Sequence, residues 1–326
     1  MALAVGAPAS TGPRRVAVDH HLHVHSPAIV GFLPRFCKTL PDGCDPEFAN
    51  RKTVDDLLAQ MDAAGVRGGA LLSTGYLAES AFVDPADPAH AAILHDANVF
   101  TEQAARTHPD RLMAFVSVNP LTPTALPELA RWKGDPFVTG VKLHLTNSGV
   151  DLRNPEHVRK LAAVFRAAAA DRFAIVIHMR GERADYGAQD ARIFLRDVLP
   201  AAGNATVQIA HAGGWGGLDA GTLGALGAFA DAIRAKPALR RTLYFDLAGV
   251  WDKDSSPADM AQLVLLIRRI GLRQFLPASD WPFAPDLTAY YGKDYPRLPL
   301  TGAEWSTIRG NVAPYVPARI RRSPAG

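Results

Sequence analysis

An aspartate and four histidines stand within seven residues of one another, between Asp19 and His25, directly after a short apolar run. Side chains of a strand alternate between its two faces, so every second residue from Asp19 to His25 would share one face. Two imidazoles placed two positions apart on a strand lie side by side, which suits a divalent metal. For this pair alone, a polar edge strand is the competing interpretation.

Further side chains with metal-binding or acid–base chemistry stand at the ends of other apolar runs. Positions of this kind, including the first run, are His21, His23, Lys142, His144, His178, His211, Asp246 and Asp280. Taken singly, His178 or His211 could equally be a hydrogen-bonded core histidine. Histidines that end four separate runs, with an aspartate ending the last, together predict one metal site.

The elements that must position these residues alternate regularly along the chain. Eight apolar runs, each followed by a segment of helical periodicity, predict eight strand–helix units with strands buried on both faces. Eight such units in about 300 residues favour a single (β/α)₈ TIM barrel over an open doubly wound sheet. Working residues of such barrels lie at the carboxyl ends of the strands, where the set above would converge. The domain is predicted to span residues 16–318, after a flexible N-terminus of residues 1–15.

Three local predictions accompany this fold. Residues 26–52 contain four prolines and are expected to form a long loop that covers or lines a site. The first helix should begin at Thr53, with Asp56 completing a capping box, and should end at Gly65. The last helix is predicted from Gly302 to Tyr315.

Composition excludes several classes of partner. The chain has 326 residues, 48% of them hydrophobic and 21% charged, with a formal net charge of +3. This composition is ordinary for a globular protein. The net positive charge is too small to indicate a nucleic-acid partner. No apolar run approaches the roughly 20 residues of a membrane span, and no signal peptide is visible. We therefore expect a cytoplasmic protein acting on a small molecule. The two cysteines leave a local disulfide open, and a homo-oligomer is also left open.

The motifs at the strand ends resemble the amidohydrolase superfamily, and within it the amidohydrolase-related branch of sugar lactonases and nonoxidative aromatic decarboxylases. The segments that carry the resemblance are Asp19-x-His21-x-His23, Gly140-Val141-Lys142-Leu143-His144, Ile177-His178, Ile209-Ala210-His211-Ala212-Gly213 and Ala278-Ser279-Asp280-Trp281-Pro282. The resemblance covers nearly the whole chain. Because Asp19 precedes His21 by two residues, the earlier histidine pair is favoured over His23 and His25.

The resemblance implies the roles of these residues. His21, His23, His178 and Asp280 would be metal ligands, and His211 would bind metal or hold the reactive water and substrate. Zinc suits such a set, with manganese or iron as alternatives. In binuclear relatives a carboxylated lysine at the position of Lys142 bridges two metals, but one metal is favoured here. Substrate contacts are then expected from Lys142 and His144, and from Arg180 and Trp281 in the adjoining loops.

Three functions remain to be distinguished. The leading prediction is a metal-dependent hydrolase that activates water against a lactone, ester or amide, with Asp280 moving the proton. The alternative is nonoxidative decarboxylation of an aromatic or unsaturated acid, whose carboxylate Arg180 or Arg183 would orient. A catalytically silent metal-binding barrel is the third interpretation, against which the complete ligand set argues.

Overall fold

The computed structural model describes residues 15–85, 87–215 and 217–321. Its eight strands are all parallel and pair in chain order within one sheet. They are β1 (Val18–Leu22), β2 (Gly68–Leu72), β3 (Leu112–Ser117), β4 (Val138–His144), β5 (Ala174–His178), β6 (Val207–Ile209), β7 (Leu243–Asp246) and β8 (Phe275–Leu276). The predicted N-terminal segment, residues 1–15, lies outside the described residues except for Arg15.

Main-chain hydrogen bonds join the first strand to the segment that follows the last. Leu22 forms a parallel bridge with Trp281, and the amide of Asp280 donates to the carbonyl of His21 over 2.9 Å. The sheet therefore closes on itself, and the predicted (β/α)₈ barrel of one domain is confirmed.

Helices follow the strands around the outside of the barrel. They are α1 (Pro27–Cys37), α2 (Pro46–Ala49), α3 (Val54–Ala64), α4 (Ala89–Thr107), α5 (Ala125–Arg131), α6 (Leu145–Ser148), α7 (Pro155–Ala170), α8 (Ala188–Ile193), α9 (Ala220–Ala235), α10 (Pro257–Ile270), α11 (Leu287–Ala289), α12 (Gly302–Gly310) and α13 (Ala318–Arg321). The start of α3 is as predicted, with Thr53 and Asp56 forming a capping box. Gly65 ends this helix in the left-handed region, at φ 69°. Within the described ranges, no helix is both long and apolar enough to span a bilayer.

Two apolar layers hold the barrel together. The larger lies between the outward strand faces and the helices, and includes Leu71, Val141 and Ile175. The smaller fills the barrel itself, with Leu72, Phe115 and Val176 among its members. Both strand faces are thus buried, which explains why the strands are apolar almost throughout.

Gly140 allows β4 to lie close to β5 and to the ring of Phe115. A Cβ atom at this position would lie 2.2 Å from the carbonyl oxygen of Ala174 and 2.5 Å from Cε1 of Phe115. Because the first of these is a backbone atom in the neighbouring strand β5, the clash cannot be relieved by a side-chain rotation. β4 therefore needs glycine at this position to pair closely with β5.

The predicted long loop over residues 26–52 is wrong in its secondary structure, because it contains α1 and α2. Pro27 and Pro46 stand in the first turns of these helices, where a missing N–H costs no hydrogen bond. Ser26 and Asp45 cap the two N-termini with their side-chain oxygens. Pro27 and Pro46 therefore begin helices here and do not interrupt them. A disulfide joins Cys37 at the end of α1 to Cys44.

The last long helix is shorter than predicted, since α12 ends at Gly310 and not at Tyr315. The side chain of Asn311 instead donates to the carbonyls of Leu272 and Phe275, each over 2.7 Å. Pro314 also disfavours helical backbone at the residue before it. The following segment, residues 311–321, packs against the barrel interior through Ala313, Val316 and Ile320 and closes the amino-terminal end of the barrel. We call it the C-terminal plug.

We predict that Gly140→Ala lowers the free energy of unfolding by roughly 2–3 kcal/mol, because the added methyl group overlaps the backbone of β5. Gly227→Ala is the matched control: it lies within α9, and a Cβ atom there meets nothing within 4 Å. The control should be neutral or stabilising by about 0.5–1 kcal/mol. Urea denaturation followed by circular dichroism measures both. Equal stability of the two variants would show that β4 tolerates a side chain here.

Candidate metal centre

The eight side chains singled out in the sequence lie at the carboxyl ends of strands. His21 belongs to β1, and His23 follows that strand by one residue, since β1 ends earlier than predicted. Lys142 and His144 are on β4, His178 ends β5 and Asp246 ends β7. His211 and Asp280 follow β6 and β8 in the loops. Because all eight strands run in parallel, these positions meet at one mouth of the barrel.

Three of the imidazoles have their Nδ1 atoms fixed on acceptors. The Nδ1 of His23 lies 2.8 Å from the carbonyl oxygen of Leu72, and that of His211 lies 2.7 Å from the carbonyl oxygen of Ala248. A carbonyl only accepts hydrogen bonds, so each Nδ1 carries the proton. The Nδ1 of His21 lies 3.0 Å from the carboxylate of Asp246 and donates in the same way.

These tautomers leave the three Nε2 atoms with lone pairs. The Nε2 atoms of His21 and His23 are 3.1 Å apart. Oδ1 of Asp280 lies 3.3 Å from the first and 3.4 Å from the second. Three acceptor atoms at such distances repel one another unless they share a cation. Ligand atoms bound about 2.1 Å from one zinc ion are themselves roughly 3.0–3.4 Å apart, so this donor set fits a divalent metal.

His211 stands at the edge of this group. Its Nε2 atom lies 3.9 Å from Oδ2 of Asp280, and its ring centroid lies 4.8 Å from that of His21. The backbone at His211 is in the left-handed region, with φ 54°. Its amide donates to Asp246 over 2.8 Å, and this bond helps to hold the strained backbone that aims the ring at the site.

His178 lies beside His21, His23 and Asp280, but it is not among the side chains whose ligand atoms lie within 3.4 Å of one another. Its ring centroid is 3.9 Å from that of His144 and 5.1 Å from that of His211. The Nε2 atom of His178 is buried without a hydrogen-bond partner among the described residues. A buried nitrogen in this condition fits a ligand to an ion or to a bound substrate. Burial and the neighbouring imidazole of His144 lower the pKa of His178 well below its usual value, which keeps the ring neutral.

Asp280 is the acidic member of the group and adopts left-handed backbone, with φ 62°. This conformation turns the side chain back toward β1, and the amide of Asp280 donates to the carbonyl of His21. Burial opposes ionisation of the carboxyl, whereas the facing imidazoles of His21, His211 and His23, when they carry a positive charge, hold its pKa below the usual range. The side chain is 17% exposed, against 1% for His21.

Lys142 supplies the one ammonium group of the cluster. Its Nζ atom lies 3.0 Å from Nε2 of His21 and donates to that lone pair, so the ammonium and a metal ion would compete for this nitrogen. Burial lowers the pKa of Lys142 to about 8, although Asp280 and Asp246 partly oppose the shift. The lysine is therefore a cation that the barrel interior tolerates poorly.

The side of the site around His144 is lined by aromatic rings. The ring of Tyr76 lies 4.9 Å from that of His144. Trp215 meets His178 and His144 edge-on, at 5.5 and 6.3 Å between centroids. Trp215 is 51% exposed, so one part of its ring contacts the histidines while another part faces solvent.

Two predicted substrate contacts lie elsewhere than in this group. The guanidinium of Arg180 donates to Asp219 over 2.7 Å and lies over the ring of Tyr186. It lines a cavity of about 350 Å³ together with Trp215. Trp281 is 1% exposed and packs within the larger apolar layer. Arg183 pairs with Asp185 at the surface.

Three residues of the site were not assigned roles from the sequence. Asp246 was visible as an acidic residue ending an apolar strand, and it accepts from both His21 and His211. Gln208 was visible as the one polar residue between Val207 and Ile209, and its Nε2 donates to Asp246 over 2.7 Å. Tyr76 lies in a short turn with no periodic pattern, so its sequence carried no signal.

Comparisons with known proteins bear on the family and the fold of the chain. A family model described as Amidohydrolase matches residues 18–305. A solved amidohydrolase II has 20% sequence identity and a TM-score of 0.62, with 90% of this chain and 96% of that one covered. No match was found among curated proteins.

Two further solved structures carry more specific descriptions. One is 5-carboxyvanillate decarboxylase from Novosphingobium aromaticivorans complexed with manganese, at 15% identity, a TM-score of 0.61, and 92% and 95% coverage. The other is a probable 2-pyrone-4,6-dicarboxylic acid hydrolase from Acinetobacter baumannii, at 18% identity, a TM-score of 0.50, and 90% and 89% coverage. At these identities the likeness establishes the fold alone.

We predict that the purified protein binds one zinc ion per chain and that His23→Ala weakens binding by more than about 100-fold. The loss should be large because even the outer hydrogen-bond partners of metal ligands are worth about 10–100-fold. His108→Ala, at the end of α4 and away from the group, is the matched control and should bind zinc normally. Isothermal titration calorimetry measures all three proteins. An unchanged affinity in His23→Ala would remove this residue from the ligand set.

We also predict that Lys142→Met stabilises the chelator-treated protein at pH 7, by on the order of 3 kcal/mol, because it removes a buried charge. Below pH 8 the wild-type lysine is protonated in both the folded and the unfolded state, so the stabilisation by Lys142→Met is fully present there. Between pH 8 and 10.5 the folded state loses the proton while the unfolded chain keeps it, so the wild type recovers stability and the gain fades.

Urea denaturation at pH 7 and pH 9.5 measures this dependence. Lys236→Met, at the exposed end of α9, is the control and should change stability by less than about 0.5 kcal/mol at either pH. A gain that grows toward pH 9.5 would contradict the assignment of Lys142 as a buried cation.

Proposed function

The chain belongs to the amidohydrolase family, and from that premise we propose that it is a metal-dependent hydrolase acting on a small carbonyl substrate, a lactone, ester or amide. One observation carries the proposal. The carboxylate of Asp280 contacts His21 and His23 and is also partly exposed to solvent. An ionised group at the open side of a metal-binding cluster is placed to meet both water and substrate.

His21, His23 and Asp280 would hold the ion, with His178 as the fourth ligand. Neutral imidazoles and a carboxylate suit zinc, while manganese or iron would also be accepted by such a set. When bound, a divalent cation at this position lowers the pKa of water and polarises a carbonyl oxygen.

Asp280 acts as the general base and then as the acid. Its ionised carboxylate can accept a proton from water beside the substrate carbonyl. As the tetrahedral carbon collapses, the same group returns the proton to the leaving oxygen or nitrogen. The left-handed backbone fixes the direction of the carboxylate throughout, because the amide of Asp280 stays bonded to β1.

His211 positions the reacting water. Its Nδ1 donates to Ala248, so the neutral ring presents an acceptor toward Asp280. An acceptor can orient the O–H bond of water but cannot stabilise a developing oxyanion. The ammonium group of Lys142 lies against His21. It is the group of this chain best suited to stabilise the developing oxyanion.

A second candidate function is nonoxidative decarboxylation at the same site. Trp215 and Arg180 line one cavity of about 350 Å³ beside the cluster. The aromatic face of Trp215 suits a planar, unsaturated acid, whereas Arg180 would have to leave Asp219 before it could bind the carboxylate. The fold shared with 5-carboxyvanillate decarboxylase is compatible with this chemistry.

We predict that Asp280→Asn lowers kcat by at least about 10³-fold, because an amide cannot accept the proton. The variant should fold normally, since asparagine tolerates left-handed backbone as well as aspartate does. Asp231→Asn, an exposed carboxylate of α9 paired with Arg269, is the control and should retain full activity. Turnover on a panel of lactones, esters and amides measures the effect, and circular dichroism checks the fold. A fully active Asp280→Asn enzyme would overturn the role of this residue.

The same panel extended with hydroxybenzoates separates the two candidate functions. Hydrolysis releases acid without carbon dioxide, whereas decarboxylation releases carbon dioxide. Turnover of lactones or esters supports the proposal, and carbon dioxide from hydroxybenzoates alone favours the second candidate. Failure of every metal-loaded preparation on both sets of substrates would support a catalytically silent barrel.

A further inference from the structure

A line of hydrogen bonds runs through the inside of the barrel from the C-terminal plug to the metal centre. The hydroxyl of Tyr315 lies 2.5 Å from Oε1 of Gln208. Nε2 of Gln208 lies 2.7 Å from Oδ2 of Asp246. The same carboxylate oxygen lies 3.0 Å from Nδ1 of His21. Gln208, Asp246 and His21 are buried, so this line is shielded from solvent along most of its length.

The direction of each bond follows from the chemistry of the groups. Nε2 of Gln208 also lies 3.1 Å from the carbonyl oxygen of His20. Both neighbours of that nitrogen are acceptors, so the amide must present its NH₂ group to Asp246 and its oxygen to Tyr315. Tyr315 therefore donates to Gln208, Gln208 donates to Asp246, and Asp246 accepts from His21.

Asp246 is placed to fix more than one ligand. Its other carboxylate oxygen accepts from the backbone amide of His211 over 2.8 Å. The carboxylate thus holds the ring of His21 and the strained backbone of His211 at once. Anything that reorients this carboxylate would move two members of the centre together.

We propose that Tyr315 is a positioning residue for the metal centre: through Gln208 and Asp246 it holds His21 in the tautomer whose Nε2 atom can bind a metal. This inference rests on the proposed function, because it assigns to His21 the task of a metal ligand. It also gives the C-terminal plug a part in the site, at the opposite end of the barrel from the mouth.

The physical reason is that each bond restricts the next. Without the hydroxyl of Tyr315, the buried oxygen of Gln208 loses its donor, and only the two bonds of the NH₂ group still hold the side chain. A side chain that moves to satisfy its oxygen elsewhere weakens the bond to Asp246. The carboxylate then shifts, and the proton of His21 is no longer held on Nδ1. An imidazole with its proton on Nε2 cannot offer that atom to a metal.

Tyr315→Phe tests the proposal, with Tyr244→Phe as the matched control. Both tyrosines are partly buried against the same apolar layer inside the barrel, and no hydrogen bond of the Tyr244 hydroxyl is found among the described residues. Nitrogen-15 NMR of histidine-labelled, metal-free protein reports which ring nitrogen of His21 is protonated. Calorimetry reports zinc affinity. In Tyr315→Phe we expect a detectable Nε2–H form of His21 and zinc binding weakened about 10-fold, with neither change in Tyr244→Phe.

A double-substitution cycle shows whether the effect passes through Gln208. In a Gln208→Leu background, Tyr315→Phe should cause no further loss of zinc affinity, because the line is already broken. Additive losses of zinc affinity would contradict an effect that passes through this line of hydrogen bonds. Identical behaviour of Tyr315→Phe and Tyr244→Phe would contradict it as well. Should Gln208→Leu fail to fold, the tautomer comparison of the two tyrosine variants decides the question alone.

The two readouts keep this inference separate from the proposed function. If the tautomer of His21 shifts while the wild-type protein is inactive on every substrate class, the positioning role stands and the hydrolase proposal fails. If zinc binds and esters are hydrolysed but the tautomer does not move, the positioning role alone is contradicted.

Discussion

The centre depends on three imidazole protons being fixed away from it. Leu72, Ala248 and Asp246 each accept an Nδ1–H bond, so the lone pairs of His21, His23 and His211 have to face inward. Asp280 adds a carboxylate to the same space. The barrel mouth therefore collects acceptors with Lys142 as the one donor among them. The ammonium of Lys142 offsets part of the repulsion among these acceptors, and a divalent metal would offset it further.

The fold brings this arrangement about at some cost in backbone strain. Asp280 and His211 both adopt left-handed backbone, which costs about 1–3 kcal/mol for a residue other than glycine. The strain is balanced by hydrogen bonds of two backbone amides, from Asp280 to the carbonyl of His21 on β1 and from His211 to the side chain of Asp246. The bond of Asp280 thus serves both the closure of the barrel and the construction of the site. A change that loosens the seam between β1 and β8 would loosen the ligands as well.

Much of this could be predicted from the sequence, because the spacing of apolar residues reflects which faces of strands and helices are buried. Apolar runs alternating with helical segments fix eight strands, and parallel strands bring their carboxyl ends together, which is why His21, His178 and Asp280 could be singled out. The environment of each side chain could not be predicted in this way. That Arg180 pairs with Asp219, or that Tyr315 reaches the barrel interior instead of continuing a helix, depends on contacts between residues far apart in the chain.

The central claim is that imidazoles from separate strands and one carboxylate share a single cation. Anomalous diffraction from crystals of the zinc-loaded protein, recorded on both sides of the zinc absorption edge, tests it most directly. The account predicts one anomalous peak per chain within coordination distance of Nε2 of His21, Nε2 of His23 and Oδ1 of Asp280. A fully loaded crystal whose peak lies elsewhere on the chain, with those three atoms unligated, would contradict it.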